Sequence, residues 1–438
     1  MTHPSPSRSA RLRSLVTSRA SGAVIAQVWQ AAGSFALQVL AAHLLGARGL
    51  GVVALCLGVI VLTTAITSGF VGDSLTVLDR ADVRVRAALQ AWTLLLAFVG
   101  PSIAGAVLWA TDTLSAGEAL VFFAAGALFQ VEEVARRVLM AGLQFWRLVL
   151  VDGVALFVAL ATVAVTATRG PLGLGAFLAA VAVGQLAGLV VALRLVAPQE
   201  RWLAPWSGAD LRAVASFGAW RGAQVAVNPG VFTAMRVFVV AAAGGAALGQ
   251  VEAARIYVAP AILAIQGFGS FLLASYSRDR ARPLAALVPS AVRASVAMVA
   301  AVLLVGVALW ALVPVVGPWI TGGSFDLPAV TVLGWSVYAA STATFTPLLC
   351  LAVSRGQQRV PLLIRGVDAS VSLGVLGLLL WGGMPYTATP FALAAGPVVG
   401  GLAIRALVIG SMLRAEQSTP ALAVPATAQP REAAHHAR

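Results

Sequence analysis

The chain has 438 residues, of which 60% are hydrophobic and only 10% charged, against roughly 25% charged in an ordinary soluble protein. Too few charges are present to cover a water-facing surface, so the composition places most of the chain in lipid and excludes a string of soluble domains. The net charge is +13, and all 29 basic residues are Arg. Without a single Lys, a Walker-type phosphate loop and Schiff-base chemistry are both excluded.

Spans of about 20 apolar residues are needed to cross a hydrocarbon core of ~30 Å. Twelve stretches qualify, near 23–45, 50–72, 88–110, 117–141, 148–168, 172–197, 217–241, 249–275, 288–313, 329–353, 360–381 and 388–412. The fold class expected is an all-α polytopic membrane protein with 12 transmembrane helices in two six-helix lobes. Its organisation is a disordered N-tail (1–22), an N-lobe (23–197), an inter-lobe linker (198–216), a C-lobe (217–412) and a disordered C-tail (413–438). The linker carries Pro198, Trp202, Pro205 and Trp206, and its tryptophans are read as interfacial anchors.

Arginine placement fixes the expected orientation. The N-terminal tail and the even-numbered loops hold most arginines, including Arg80, Arg84, Arg86, Arg201, Arg278 and Arg280, whereas the opposite loops hold only Arg48 and Arg169. The positive-inside rule then puts both termini in the cytoplasm. Cys56 and Cys350 lie in apolar runs, and three of four His lie in the tails (His3, His435, His436). No disulfide framework, metal site or cofactor is expected. The scattered arginines give no nucleic-acid footprint.

One short sequence recurs. Gly46-Ala-Arg-Gly-Leu-Gly-Val-Val53 and Gly244-Gly-Ala-Ala-Leu-Gly-Gln-Val251 both read G-x-x-x-L-G-x-V, 198 residues apart. Six spans per half give both copies one orientation, a parallel repeat about an axis along the membrane normal. Paired bundles of this kind enclose a substrate site between them.

Charges within spans are expensive and mark candidate sites. Arg221, Gln224, Asn228 and Arg236 fall within about 120° of one face of span 7. On span 8, Glu252, Arg255 and Gln266 share a face, with Glu252 and Arg255 within pairing distance. Span 1 offers the uncharged stripe Gln27, Gln30, Ser34 and Gln38. These are the expected cavity lining, with polar glue between packed helices as the alternative for the stripe. The arginines suit an anionic, phosphate-bearing substrate, and Glu252 is the candidate coupling residue. His43 is read as an interface residue. Asn228-Pro229-Gly230 should break or kink span 7 and is a candidate hinge at Pro229 and Gly230.

Other charges read as structural. Glu132 with Arg136 and Glu133 with Arg137 are spaced for i, i+4 pairing, and Asp152 with Arg147 and Asp368 with Arg365 for local pairing. Arg405 is left unassigned. Gly184-x-x-x-Gly188 and Gly396-x-x-x-Gly400 suggest close helix packing.

Several stretches resemble those of polysaccharide (lipid-linked oligosaccharide) flippases of the MOP superfamily. Leu45 to Leu55 is similar to the turn after that family's first helix, and Leu248 to Pro260 to the start of its eighth. Trp319 to Val330 resembles the loop into its tenth helix, and Ser354-Arg-Gly-Gln-Gln358 the turn that follows. The resemblance implies two lobes, alternating access and an undecaprenyl-pyrophosphate-linked glycan moved from the inner to the outer leaflet of a bacterial membrane. The partners it implies are that glycolipid, membrane lipids and other polysaccharide-assembly proteins; nothing in the sequence demands a dimer, so a monomer is expected. A multidrug or cation antiporter of the same superfamily is the alternative, and needs a deep carboxylate. A membrane glycan polymerase or ligase ranks third, because the outer loops are short and no D-x-D motif occurs.

Overall fold

The computed structural model describes residues 19–79, 82–200, 208–279, 281–356 and 359–418. Residues 1–18 and 419–438 of the expected tails, Arg80, Arg201, Arg280, the linker tryptophans, Gln357 and Gln358 lie outside them. Among the described residues there are helices and no strands. In chain order they are α1 (Arg19–Thr67), a π-helical turn (Ser68–Gly72), α2 (Asp73–Val77), α3 (Val83–Ala110), α4 (Ala116–Ala141), α5 (Phe145–Ala167), α6 (Leu174–Leu195) and α7 (Leu211–Arg278). They continue with α8 (Leu284–Thr321), α9 (Ala329–Ser354), α10 (Arg359–Trp381), α11 (Thr389–Ala403), a second π-helical turn (Ile404–Ile409) and α12 (Gly410–Ser418).

Nine helical stretches among the described residues are long and apolar enough to cross a membrane. The division differs from the sequence expectation at three places, each with a physical reason. Spans 1 and 2 run together as α1, and spans 7 and 8 as α7. Each pair is joined through one glycine in a non-helical conformation, Gly46 (φ 65°) and Gly244 (φ 85°). Only glycine takes that conformation cheaply, so a chain reversal fits without a loop. The third place is α4, where Glu132, Glu133, Arg136 and Arg137 dilute the apolar run.

Helix limits also shift. Asp210 caps α7, its Oδ1 accepting from Ala213 N at 3.0 Å, so this helix begins inside the expected linker. At the other end α12 extends to Ser418, into the expected tail. Glu416 of α12 accepts from the backbone N–H of Leu284, at 3.0 Å to Oε1, tying the chain's last helix to the first turn of α8. Ser115 and Glu118 form a capping box at the start of α4.

α1 and α3–α6 pack as one bundle and α7–α11 as a second, with α1 against α7 as the main contact between them. Within each bundle a glycine pair seats one helix on another. Gly184 and Gly188 of α6 lie on Ala155 and Ala159 of α5, and Gly396 and Gly400 of α11 lie on Asp368 and Ser372 of α10. Large apolar side chains such as Phe157, Leu304, Leu378 and Trp381 stand exposed on the outside of the bundles, where acyl chains replace water. This is a multi-pass membrane protein.

Candidate functional site

The C-terminal leg of α1 (47–67) and the N-terminal leg of α7 (211–243) run side by side along their whole length. At the end formed by the two repeat motifs, a Cβ on Gly51 would overlap the Gly245 carbonyl, and one on Gly249 would overlap that of Ala47. The 198-residue offset equates Gly51 with Gly249 and Ala47 with Gly245, so these contacts are repeat-related partners. Leu50 and Leu248 of the motifs are fully buried. Halfway along, Thr233 Oγ1 donates to the Gly58 carbonyl at 3.0 Å. At the far end Gly218 meets Phe70, and Gly69 meets the backbone of Arg221.

At mid-length lies a three-residue charge cluster. Arg236 Nε donates to Glu252 Oε1 at 2.8 Å and Arg255 Nε to Glu252 Oε2 at 2.6 Å. The Glu252 side chain is 0% exposed, that of Arg236 9% and that of Arg255 23%. Arg236 also lies on Gly58 of the other bundle, where a Cβ would come within 2.5 Å of Nη1. Two arginines around one carboxylate leave a formal charge of +1, and each carboxylate oxygen accepts from one of them.

The cluster continues across to the N-terminal leg of α1. Arg255 Nη2 donates to Gln38 Oε1 at 3.1 Å, and Gln38 Nε2 donates to Ser34 O and Oγ, both at 3.1 Å. Gln38 and Arg236, equated by the offset, thus reach the Glu252–Arg255 pair from opposite sides. Beyond Ser34 the polar stripe proceeds through Gln30 and Gln27, all three exposed, as Gln266 is on the facing leg of α7. Hydrogen bonds between these two legs, among the described residues, stop at Gln38–Arg255. One side of the inter-bundle seam is therefore packed throughout, and the other is joined only near the Gly46–Gly244 end.

Not every expected lining residue joins this cluster. Arg221 sits a helix-length away, its Nε and Nη2 on Asp73 Oδ2 at 2.8 and 2.6 Å and its Nη1 on Gln224 Oε1 at 2.7 Å. Asp73 was not singled out in the sequence; an acid at a helix end carries little cost, and the only signal was Arg221's need for a partner. Asn228 is exposed and makes no part of the cluster. Of the break or kink expected at Asn228-Pro229-Gly230, a break in the helical dihedrals does not occur: they continue through Pro229 and Gly230, and the one non-helical residue of α7 is Gly244. Neighbouring turns and packing hold the backbone where Pro229 removes a single hydrogen bond.

His43 does lie at an interface, with Nε2 2.6 Å from the Trp319 carbonyl. Arg365 pairs with Asp368 at 2.8 Å and stacks over the Phe345 ring. The expected Asp152–Arg147 and Glu132–Arg136 pairs are replaced. Arg136 binds Asp152 at 2.9 Å and Glu133 at 2.6 Å, while Arg147 turns to Gln144 Oε1 and the Leu195 carbonyl. Asp152 on α5 faces Arg136 across the helix interface, and that contact prevails over sequence-local spacing. Arg405 falls in the second π-helical turn and is exposed.

No family model matches this sequence. No curated protein matches it either. Solved structures do match. A multidrug resistance MATE family transporter of the MOP superfamily, in its inward-facing conformation, superposes with a TM-score of 0.70 at 12% identity, covering 90% of this chain and 96% of that one. The lipid II flippase MurJ, inward closed, gives 0.72 at 10% identity, covering 87% of this chain and 86% of that one. An outward-facing MATE family transporter gives 0.52 at 14% identity, covering 93% of this chain and 98% of that one. The chain has the fold of MOP-superfamily transporters, and the two inward structures superpose on it better than the outward-facing one.

Proposed function

We propose that the protein is a flippase that carries a polyprenyl-pyrophosphate-linked oligosaccharide across a bacterial plasma membrane, for surface polysaccharide assembly and without covalent chemistry. In this reading 23–197 and 217–412 are the two moving lobes, both termini are cytoplasmic, and the Gly46–Gly244 end is the outer end. The observation that carries it is the one-sided polar track of Gln27, Gln30, Ser34, Gln38 and Arg255. It runs along the side of the seam that is unjoined up to the Gln38–Arg255 hydrogen bond, so a headgroup can follow it while the prenyl tail stays in lipid.

The chemistry is assigned residue by residue. Arg255 uses one N–H on Glu252 and one on Gln38, leaving three of its five donors for phosphate oxygens. Arg236 holds Glu252 in place and touches the opposite bundle, so its part is positioning. Arg221 with Asp73 is a cytoplasmic clasp between lobes, and Gln224 supports it. The uncharged stripe suits hydroxyl-rich sugars, with Asn228 as an outlying cavity residue and Pro229–Gly230 as a pliable section of α7. The fold shared with the lipid II flippase MurJ supports a lipid-linked substrate.

The fold shared with MATE multidrug transporters supports a second reading, a drug or cation antiporter. The one acid at the centre, Glu252, is neutralised by two arginines, which disfavours cation binding there. Leaflet translocation in proteoliposomes separates the two, comparing a polyprenyl-pyrophosphate oligosaccharide with a lipophilic cation. Glycolipid movement that falls at least tenfold in Arg255→Ala supports the flippase. Cation export indifferent to Arg255 would replace it with the antiporter.

A further inference from the structure

Six carboxylates lie on the helices that meet at the bundle interiors: Asp73, Glu132, Glu133, Asp152, Glu252 and Asp368. Five of them hold an arginine within 3 Å. Glu132 does not. Its residue is 3% exposed, and it makes no hydrogen bond or ion pair among the described residues. The carboxyl occupies a notch in the α6 surface where a side chain is missing: Oε1 stands 2.6 Å from where a Cβ on Gly188 would be, beside the methyl group of Ala155. A solitary ionised carboxylate enclosed by helices α4, α5 and α6 is strongly disfavoured, whereas the neutral acid is tolerated.

We propose that Glu132 is the proton-binding site of this transporter, occupied in the conformation described and emptied in the other. The surrounding charges supply the switch. On its own helix Glu132 is followed by Glu133, Arg136 and Arg137. From α5 it is faced by Asp152, while Arg147 is turned away to the Leu195 carbonyl. α6 carries Arg194 only in its last turn, and α3 carries Arg84 and Arg86 only in its first. α1 has no charge between Arg48 and its end, with Asp73 beyond.

Arg136 is therefore the cation within reach. With Glu132 neutral, it bridges Glu133 and Asp152 and ties α4 to α5. Loss of the proton to water turns Glu132 into a competing partner one helical turn from Arg136, loosening that tie. The neighbouring Arg137 is bound to Glu133 at 2.8 Å and lies on Gly72, where a Cβ would come within 2.9 Å of its Cγ. Gly72 precedes Asp73, the residue that clasps Arg221 across the seam. Protonation at Glu132 thus reaches the inter-bundle contact through touching groups, and transport is proton-linked.

The test needs no transported substrate. Full-length protein in liposomes is taken through a pH jump while infrared difference spectra follow the carboxylic-acid C=O stretch, and spin labels on α2 and the first turn of α7 report the inter-bundle distance. Wild type should show a titrating C=O band and a pH-dependent distance. Glu132→Gln should lose both, and Glu132→Asp should keep the band at a shifted frequency. The proposal is overturned by an undiminished band in Glu132→Gln. It is equally overturned if sodium at constant pH, and not acid, drives a Glu132-dependent change, or if the wild-type distance ignores pH.

Discussion

Gly51 and Gly249 hold equivalent places in the two copies of one short motif, and each is pressed on the backbone of the other copy, at Gly245 and Ala47 respectively. The main chains meet directly there, with the flanking Leu50 and Leu248 buried to either side. Gly51→Ala or Gly249→Ala places a methyl group inside a carbonyl's contact radius. Overpacking of this kind costs about 1–3 kcal/mol. The expected outcome is a lower melting temperature and increased labelling of cysteines introduced next to the motifs. Gly117→Ala, where a Cβ meets nothing within 4 Å, should leave both unchanged.

Glu252 is the shared partner of two arginines, so its removal leaves two positive charges facing each other. Glu252→Gln should destabilise the protein by about 3–5 kcal/mol, the usual effect of orphaning a buried charge, read as a thermal shift in detergent. An apolar replacement of the buried pair, Arg236→Met with Glu252→Leu, should recover most of that stability. If the flippase reading holds, it should not recover glycolipid translocation, because Arg255 then keeps Gln38 but loses the carboxylate that orients it.

Asp73 and Arg221 form a different kind of bond, with Arg221 42% exposed. Such a pair contributes only about 0.2–1 kcal/mol to folding. Asp73→Asn should therefore melt almost as wild type yet widen the label-to-label distance distribution between α2 and the start of α7. The charge exchange Asp73→Arg with Arg221→Asp should narrow it again. A widening that the exchange leaves in place would assign the effect to something other than the ion pair.

The glycine seats inside the bundles give a third contrast. At Gly396 a Cβ would overlap the Asp368 carbonyl and the Ser372 hydroxyl, whereas at Gly366 it would meet nothing. Gly396→Ala should reduce the yield of monodisperse protein and lower its melting temperature. Gly366→Ala should do neither.

Much of this was legible in the sequence because lipid makes charge conspicuous. Arg236, Glu252 and Arg255 stood out in apolar runs, and their helical spacing brought Glu252 and Arg255 together correctly. The G-x-x-x-L-G-x-V repeat pointed to two parallel halves, but that its two copies press on each other at the junction of α1 with α7 is a matter of tertiary packing. Partner choice was less accessible. Arg136 prefers Asp152 on another helix to Glu132 on its own, a decision made by tertiary packing that no i, i+4 rule contains. Asp73 went unnoticed since helix-end acids are commonplace, and the solitude of Glu132 becomes visible only once Gly188 is brought beside it. At Pro229 the helical dihedrals continue, since neighbouring turns carry the hydrogen bond it removes, and the reversal of α7 falls on Gly244.

The glycine contact between the two motifs also bears on how such a protein should be surveyed. A truncation scan works by deleting side-chain atoms and asking what is lost. At Gly51 and Gly249 there is nothing to delete, so the surfaces that meet at this end would score as silent. Only enlargement, one methyl at a time, can report on them, and a map of this protein built from deletions alone would have a blank where its two bundles touch so closely.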